Sequence, residues 1–373
     1  MARTIVDIHV IQTVPPSNLN RDDNGSPKTA VYGGRRRARV SSQAWKRATR
    51  NAFGELLDPS ELGVRTKQVV ELLAEEITRQ DAALADRAAE LAEAVLTAAG
   101  IPLAAPRKKG AANESKFLLF LSARQITGLA ELAVEAGHAE GKPAIDKASA
   151  RARADREHSV DVALFGRMVA DATDLNVDAA CQVAHALSVH AVDTEYDYFT
   201  AVDDHKDKDD EEDAGAGMIG TVEFNSSTLY RYATIDVDRL RDNLGDDDAT
   251  TRAVETFTRA FVASMPTGKQ NTFANRTLPD AVLIVARQTQ PINLVGAFED
   301  AIKDNVNRIA TAIGNLAGHA RELHTAFDEQ PVAAWAFGVG DERVAPLTEL
   351  AQRTTFEPAI TALGALVGER LGQ

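Results

Sequence analysis

Residues Thr4 to Val14 alternate apolar and polar positions, Val6, Ile8 and Val10 against Asp7 and His9, and this period of two predicts a strand. A long segment follows, from Pro15 to about Val40. It carries Pro15, Pro16, Pro27, Gly25, Gly33 and Gly34 and is read as a loop, of a length usually either functional or disordered. Ser41 then stands where a helix N-cap belongs, and Ser42 to about Leu57 has helical spacing. From about Leu62 to Arg156 the pattern changes to Ala, Leu and Glu at helical intervals, over Val69–Ile77, Ala82–Ala99 and Ala123–Ala136. Strand character returns at Ser159–Phe165 and around Cys181–Val192. Phe199–Val202 and Thr221–Phe224 read as the arms of a hairpin, and Thr228–Ile235 as a further strand. A helix is predicted at Thr251–Met265, a fully apolar central strand at Ala281–Ala286, and helices again to the end near Leu371. Without the helical stretch and the hairpin, the order is strand, helix, strands, helix, strand. That order fits a ferredoxin-like α+β sheet, the group of folds that includes RNA-recognition modules.

Composition bounds the function. The chain of 373 residues has a single cysteine, Cys181, which excludes a disulfide framework or a thiolate zinc site. No apolar run approaches the roughly 20 residues that span a bilayer, so no membrane partner is expected, and a reducing cytoplasm is the expected location. The net charge is −14, which taken alone disfavours a polyanion as ligand. Between Arg21 and Arg50, however, nine basic residues face two acids, a local charge of +7. They are Arg21, Lys28, Arg35, Arg36, Arg37, Arg39, Lys46, Arg47 and Arg50. Lys46 and Arg50 are i, i+4 neighbours on the predicted helix. Arginine and lysine neutralise phosphates, Ser41, Ser42 and Gln43 offer hydrogen bonds to phosphate oxygens, and a helix N-terminus favours an anion. The opposite extreme is the run Asp203–Asp213, eight acids against Lys206 and Lys208, read as a solvated tip.

Catalytic alternatives are weaker. The pairs Asp22–Asp23 and Asp203–Asp204 would suit metal-assisted phosphodiester cleavage only if they met in space, so a metal-dependent ribonuclease is kept as the alternative reading. His185, His190 and Cys181 lack a convincing fourth metal ligand. Ser41 and Ser42 have no nucleophile elbow. Gly33-Gly34 is not followed by a Gly-Lys-Ser/Thr signature, and these glycines are better explained by a loop turning closely past a ligand or partner.

Several ordered motifs carry a resemblance. They are Ser17-Asn18-Leu19-Asn20-Arg21-Asp22-Asp23, Ala30-Val31-Tyr32-Gly33-Gly34-Arg35-Arg36-Arg37 and Val40-Ser41-Ser42-Gln43-Ala44-Trp45-Lys46-Arg47-Ala48. Further along come Val160-Asp161-Val162-Ala163-Leu164-Phe165-Gly166-Arg167-Met168, Tyr198-Phe199-Thr200-Ala201-Val202-Asp203-Asp204, Gly220-Thr221-Val222-Glu223-Phe224 and Tyr230-Arg231-Tyr232-Ala233. From Ile8 to about Ala301 the chain resembles the Cas-seven family, specifically the CasC-type backbone subunits of the type I-E CRISPR Cascade. The resemblance implies a modified RRM/ferredoxin-like palm, a helical fingers insertion and a thumb β-hairpin. The expected boundaries are 1–60 palm, 61–157 fingers, 158–192 palm, 193–224 thumb, and 225–373 palm with C-terminal helices. It implies no catalytic centre and no cofactor or metal. The implied partners are a guide crRNA, target DNA through that guide, further copies of the chain and other Cascade subunits. Copies would line up along the guide, and each thumb would displace one nucleotide at regular intervals. The implied RNA contacts are Arg21, Lys28, Ser41, Gln43, Lys46, Arg47 and Arg50, with Met168 and Thr200 against the displaced nucleotide and Lys269 and Gln270 as a further pair. For Met168 the residues themselves leave an apolar wedge and ordinary core packing both open. The acidic Asp203–Asp213 run departs from the family pattern and lengthens the thumb tip.

Overall fold

A computed structural model describes residues 3–106, 112–139, 143–168, 175–201, 218–303 and 306–372. The strands are β1 (Ile5–Ser17), β2 (Thr29–Tyr32), β3 (Arg35–Val40), β4 (Gly63–Thr66), β5 (Leu103–Ala104), β6 (Glu114–Ser115), β7 (Leu119–Ser122), β8 (Cys181–Val183), β9 (Ala186–Ser188), β10 (Glu195–Ala201), β11 (Met218–Asp236), β12 (Ala281–Arg287), β13 (Ala333–Gly338) and β14 (Gln352–Arg353). The helices are α1 (Ser42–Leu56), α2 (Val69–Gln80), α3 (Ala88–Ala98), α4 (Ala123–Gly137), α5 (Lys147–Ala154), α6 (Val160–Phe165), α7 (Val237–Leu244), α8 (Asp247–Ala263), α9 (Gln270–Phe273), α10 (Arg308–Ala326), α11 (Asp341–Thr348) and α12 (Phe356–Leu371). The chain divides into two compact units. One comprises Met1–Thr49, Val183–Thr234 and Phe257–Leu363, the other Arg50–Gln182, Ile235–Thr256 and Gly364–Gln373.

The first unit is built on a mixed sheet in the order β14-β13-β12-β1-β11-β9-β3-β2, with β8 and β10 paired to β11 off that path. β12 consists of seven buried residues, AVLIVAR, and runs antiparallel to β1 from Ile5↔Arg287 to Ile11↔Ala281. Each fully buried Val, Leu or Ile contributes roughly 1.5–3 kcal/mol, which makes this pair the centre of the unit. Leu283 and Val285 pack with Tyr230, Phe298, Ile313 and Leu316. A separate cluster gathers Val14, Val40, Trp45 and Leu229. The alternation in β1 does not mark a solvent face, because Asp7 and His9 are both fully buried. Polar atoms buried without partners cost several kcal/mol; Asp7 has partners and His9 has one for Nδ1, while its Nε2 has none among the described residues. Asp7 accepts from Arg287 at 2.9 Å, from the Tyr232 hydroxyl at 2.8 Å and from the Ile292 N–H at 3.1 Å. His9 Nδ1 lies 2.9 Å from the Tyr230 hydroxyl.

The second unit is mainly helical. Val70, Leu73 and Ile77 of α2, Leu91 and Val95 of α3, and Leu129 and Ala133 of α4 share one apolar core. The predicted helices over Val69–Ile77, Ala82–Ala99 and Ala123–Ala136 correspond to α2, to a 3-10 turn at Ala82–Arg87 leading into α3, and to α4. α4 opens with a capping box. Ser122 Oγ accepts from the Gln125 N–H at 3.0 Å, and Gln125 Oε1 accepts from the Ser122 N–H at 2.9 Å.

Two expectations are corrected. Ser159–Phe165 is not a strand, because Val160–Phe165 is the helix α6. Its residues Val160–Leu164 are all buried, so apolar periodicity over so short a run cannot separate strand from helix. Asp161 favours the helix locally by accepting from the Val162 N–H at 3.1 Å, and Gly166 ends it at φ +78°. The segment Pro15–Val40 is not a loop throughout, since it holds the hairpin β2–β3. The predicted hairpin arms and the strand Thr228–Ile235 also merge. β11 is one strand of 19 residues, whose first part pairs with β10 from Ala201↔Met218 to Glu195↔Phe224 and whose later part enters the main sheet. The run Asp203–Asp213, with the Asp203–Asp204 pair, lies outside the described residues. Among the described residues, no helix is long and apolar enough to cross a membrane.

Candidate nucleic-acid interface

In the first unit, the loop before β2, the hairpin β2–β3 and the start of α1 bring most of the basic residues together. The hairpin closes through Gly33 and Gly34, with φ +55° and +69° between the paired residues Tyr32 and Arg35. Positive φ at both central positions defines the tight turn that matches strand twist. The close passage expected past a ligand or partner is instead past the chain itself. A Cβ on Gly33 would lie 1.7 Å from the Glu299 carbonyl oxygen.

The arginines of β3 separate by distance from the turn and not by strand alternation, the first two being exposed and the third buried. Arg35 and Arg36 are exposed at the turn end. Arg37 is fully buried and donates to three backbone carbonyls, Ser188 at 2.8 Å, Phe298 at 3.0 Å and Glu299 at 2.9 Å. Burial pushes its guanidinium below the usual arginine range. Arg37 therefore leaves the cationic surface and becomes a structural bolt. Arg39, half-buried, donates its Nε–H to Thr29 O at 3.3 Å.

Asn20 organises the loop. Its Oδ1 accepts from the Ser41 N–H at 2.8 Å and its carbonyl from the Lys28 N–H at 2.9 Å. Asn18 is buried and donates its side-chain amide to Gly25 O at 2.9 Å and to Glu223 O at 3.0 Å. These two asparagines set the positions of Arg21 and Lys28, and the candidate residues drawn from the sequence do not include them. The available signal was an Asx-rich run beside proline and glycine, where such side chains bond local backbone.

At the head of α1, Ser41 is nearly buried and its Oγ accepts from the Ala44 N–H at 3.2 Å, as its predicted capping role requires. Gln43 and Arg47 are exposed and Lys46 is half-buried. Trp45 is buried against Arg231, whose guanidinium carbon lies 3.7 Å from the indole centre. Arg231 is itself buried and hydrogen-bonded to Gln12 and to Phe261 O, and burial lowers its pKa to about 9. Lys269, in the left-handed conformation at φ +50°, and the exposed Gln270 join this region. A Cβ on the preceding Gly268 would lie 2.2 Å from Leu19 O, so that backbone sits directly on the loop that carries Arg21. Gly268, Asn20, Arg21 and Asp22 line one open hollow.

The remaining candidates sit differently. Arg50, in the second unit, donates from Nε to Asp161 at 2.9 Å and from Nη2 to Gly63 O at 3.3 Å, and its guanidinium lies over Phe120. It is thus engaged with its own chain. Met168 is 85% exposed, which rules out core packing as its explanation. Arg167 beside it is buried and donates to Leu175 O, Phe120 O and Ala154 O. Thr200 lies in β10 opposite Ile219, and its side chain is outside the described residues.

Of the Asp22–Asp23 pair, one carboxylate oxygen holds its own turn. Asp22 Oδ1 accepts from the Asn24 N–H at 2.9 Å and the Ser26 N–H at 3.0 Å. Among the described residues no cluster of three or more His, Cys, Asp or Glu is placed to hold a metal. His190 is taken up by backbone, with Nε2 accepting from the Thr228 N–H at 3.1 Å and Nδ1 facing Ala191 O at 2.8 Å.

The mixed α+β fold matches solved chains of RNA-guided complexes. A chain of a "CRISPR RNA-guided surveillance complex, pre-nicking" superposes with a TM-score of 0.84 at 36% identity, covering 97% of this chain and 100% of that one. A chain of a second "CRISPR RNA-guided surveillance complex" gives 0.73 at 31% identity, over 97% and 99%. The model of the CT1975-like protein family matches residues 6–362, and the chain belongs to that family. No curated protein matches the chain.

Proposed function

We propose that this chain is a non-catalytic, crRNA-binding backbone subunit of a CRISPR surveillance complex of the Cascade type, subtype I-E. Copies of it line up along the guide RNA and hold the spacer for pairing with target DNA, together with other subunits of the complex. The observation that carries the reading is the near-complete match to surveillance-complex chains, joined to a cationic strip that survives removal of the internally bonded arginines. Arg21, Lys28, Ser41, Gln43, Lys46 and Arg47 bind the RNA backbone, and Lys269 and Gln270 extend that strip. Phosphate contacts carry no sequence information, so one surface serves any spacer. Met168 and Thr200 flank a displaced nucleotide, and an exposed methionine suits an apolar wedge against an unstacked base. The chain order β1, α1, β9, β11, α8, β12 with sheet order β12-β1-β11-β9 supports a ferredoxin-like palm, and the helices of residues 61–157 and the β10–β11 hairpin support fingers and thumb.

The test is size-exclusion light scattering of the chain with guide RNAs of increasing length, before and after nuclease treatment. Oligomers whose mass grows with RNA length, and affinity that falls steeply with salt but not with spacer sequence, are expected. A preference for one spacer that persists at high salt would overturn the reading. So would regular cleavage of complementary RNA by the assembled complex with Mg²⁺ that is lost on Asp22→Ala.

A further inference from the structure

His185 stands between β8 and β9 at the head of α1, exposed on one side and bonded on the other. The Ser42 N–H, one of the amides that no helix carbonyl can satisfy, donates to His185 Nδ1 at 3.0 Å. A ring nitrogen that accepts from a backbone N–H carries no proton, so the proton of the neutral ring must be on Nε2. The helix cap thereby fixes the tautomer. Nε2–H has no partner among the described residues; the β3–β9 pairing sets Arg39 opposite Leu187, two residues from His185, and the Arg39 N–H donates to Lys28 O at 2.9 Å, which brings both cations to this end of the strip. Burial and those two cations lower the histidine's pKa below its ordinary value, which keeps the ring neutral and the cap intact.

We propose that His185 is a further RNA-contacting residue, whose Nε2–H donates to a backbone phosphate oxygen held jointly by Lys28 and Arg39. The assignment rests on the reading of this strip as an RNA interface and adds to it a neutral donor among the charged ones. A neutral N–H contributes direction where Lys28 contributes charge, so it fixes where along the strip a phosphate sits. The ordinary alternative is a histidine that only caps α1.

The two nitrogens can be tested apart. Asparagine places its Oδ1 near the position of Nδ1 and keeps the cap while removing the outer donor. Glutamine places its amide N–H near Nε2 and keeps the donor while weakening the cap. Fluorescence anisotropy with a labelled guide RNA, at fixed salt, is measured for the full chain and for H185N and H185Q, each with a thermal melt. The expected result is a loss of about 10- to 100-fold in affinity for H185N with an unchanged melting temperature, since one hydrogen bond to a charged acceptor is involved. H185Q should bind within about twofold of the parent while melting lower. Equal binding by H185N and the parent would overturn the assignment, as would a loss in H185Q as large as that in H185N. If the parent chain itself fails to bind, the RNA reading of the strip falls and this assignment with it.

Discussion

Arg36 and Arg37 are neighbours in one strand and have opposite fates. Arg36, with Arg35, projects into solvent beside the Gly33-Gly34 turn, whereas Arg37 is fully buried and spends its donors on Ser188, Phe298 and Glu299. The same division runs through the chain. Arg21 and Arg47 are exposed, while Arg231 and Arg287 lie inside the first unit and Arg167 inside the second. A guanidinium has five N–H groups in a rigid fork, so it can satisfy several carbonyls at once and be buried without a carboxylate. Counting charges along a sequence therefore overstates the surface. The +7 segment holds one arginine that is wholly structural and a second, Arg50, that is tied to Asp161.

If the two sets are distinct, removing an inner arginine lowers stability and leaves the surface strip unaffected. Arg287 and Asp7 form an ion pair in which both side chains are at most 1% exposed. Arg287→Met strands a buried carboxylate and should cost about 3–5 kcal/mol, read from the urea midpoint. RNA affinity of the folded protein should change less than about twofold, because the pair is remote from the strip in role. A large loss of RNA affinity with unchanged stability would show that the inner set takes part in binding.

Acid probes the same interior without mutation. Burial lowers His9 to a pKa of about 3 and His158, His190 and His324 to about 4. Each is depressed from 6.5, so below that pH the unfolded chain binds protons that the folded chain refuses. Stability is full above about pH 6.5 and falls as the pH drops toward 4. For the fully buried His9 the slope approaches about 1.4 kcal/mol per pH unit. Urea midpoints at intervals between neutral pH and pH 4.5 should fall steadily. A flat profile would mean that these rings are already protonated in the native state.

Arg50 lies on the border between the two sets. Its partner Asp161 is 2% exposed and also accepts from the Gly63 N–H, whereas Arg50 itself is 33% exposed. Arg50→Ala should cost about 2 kcal/mol, less than a wholly buried pair because solvent screens one partner. A thermal melt of Lys46→Ala beside Lys46→Ala with Arg50→Ala isolates that share. Loss of two free surface charges would leave stability almost unchanged, and the Arg50–Asp161 pair makes this double variant an exception.

What was legible follows from the range of each signal. α1, α2, α4 and β12 declare themselves through long periods or a continuous apolar run, and the resemblance motifs fall on the strip, on α6 and on β10–β11. α6 was misread because five buried residues look the same as strand or helix. Its identity depends on Asp161, Gly166 and contacts far away in sequence. The burial of Arg37 and the partner of Arg50 were hidden for the same reason. Ser188, Glu299 and Asp161 lie more than a hundred residues from the arginines they hold, and no local pattern points to them. Asn18 and Asn20 were visible as turn formers but not as the supports of Arg21 and Lys28.

The smallest stability effect belongs to the outer arginines, and it is the most discriminating. Arg35 and Arg36 form no hydrogen bond or ion pair through their side chains among the described residues, so Arg35→Ala with Arg36→Ala should alter stability by less than about 0.5 kcal/mol. If both touch phosphates, each releases counterions on binding, and the slope of log affinity against log salt should become shallower by about 0.7 per lost contact on single-stranded RNA. The double variant should thus bind guide RNA more weakly at low salt and approach the parent as salt rises. A weakening that is the same at every salt concentration would mean that the hairpin acts through shape rather than charge. No weakening at all would confine the RNA strip to the loop and the head of α1, leaving the β2–β3 tip for contact with a neighbouring protein.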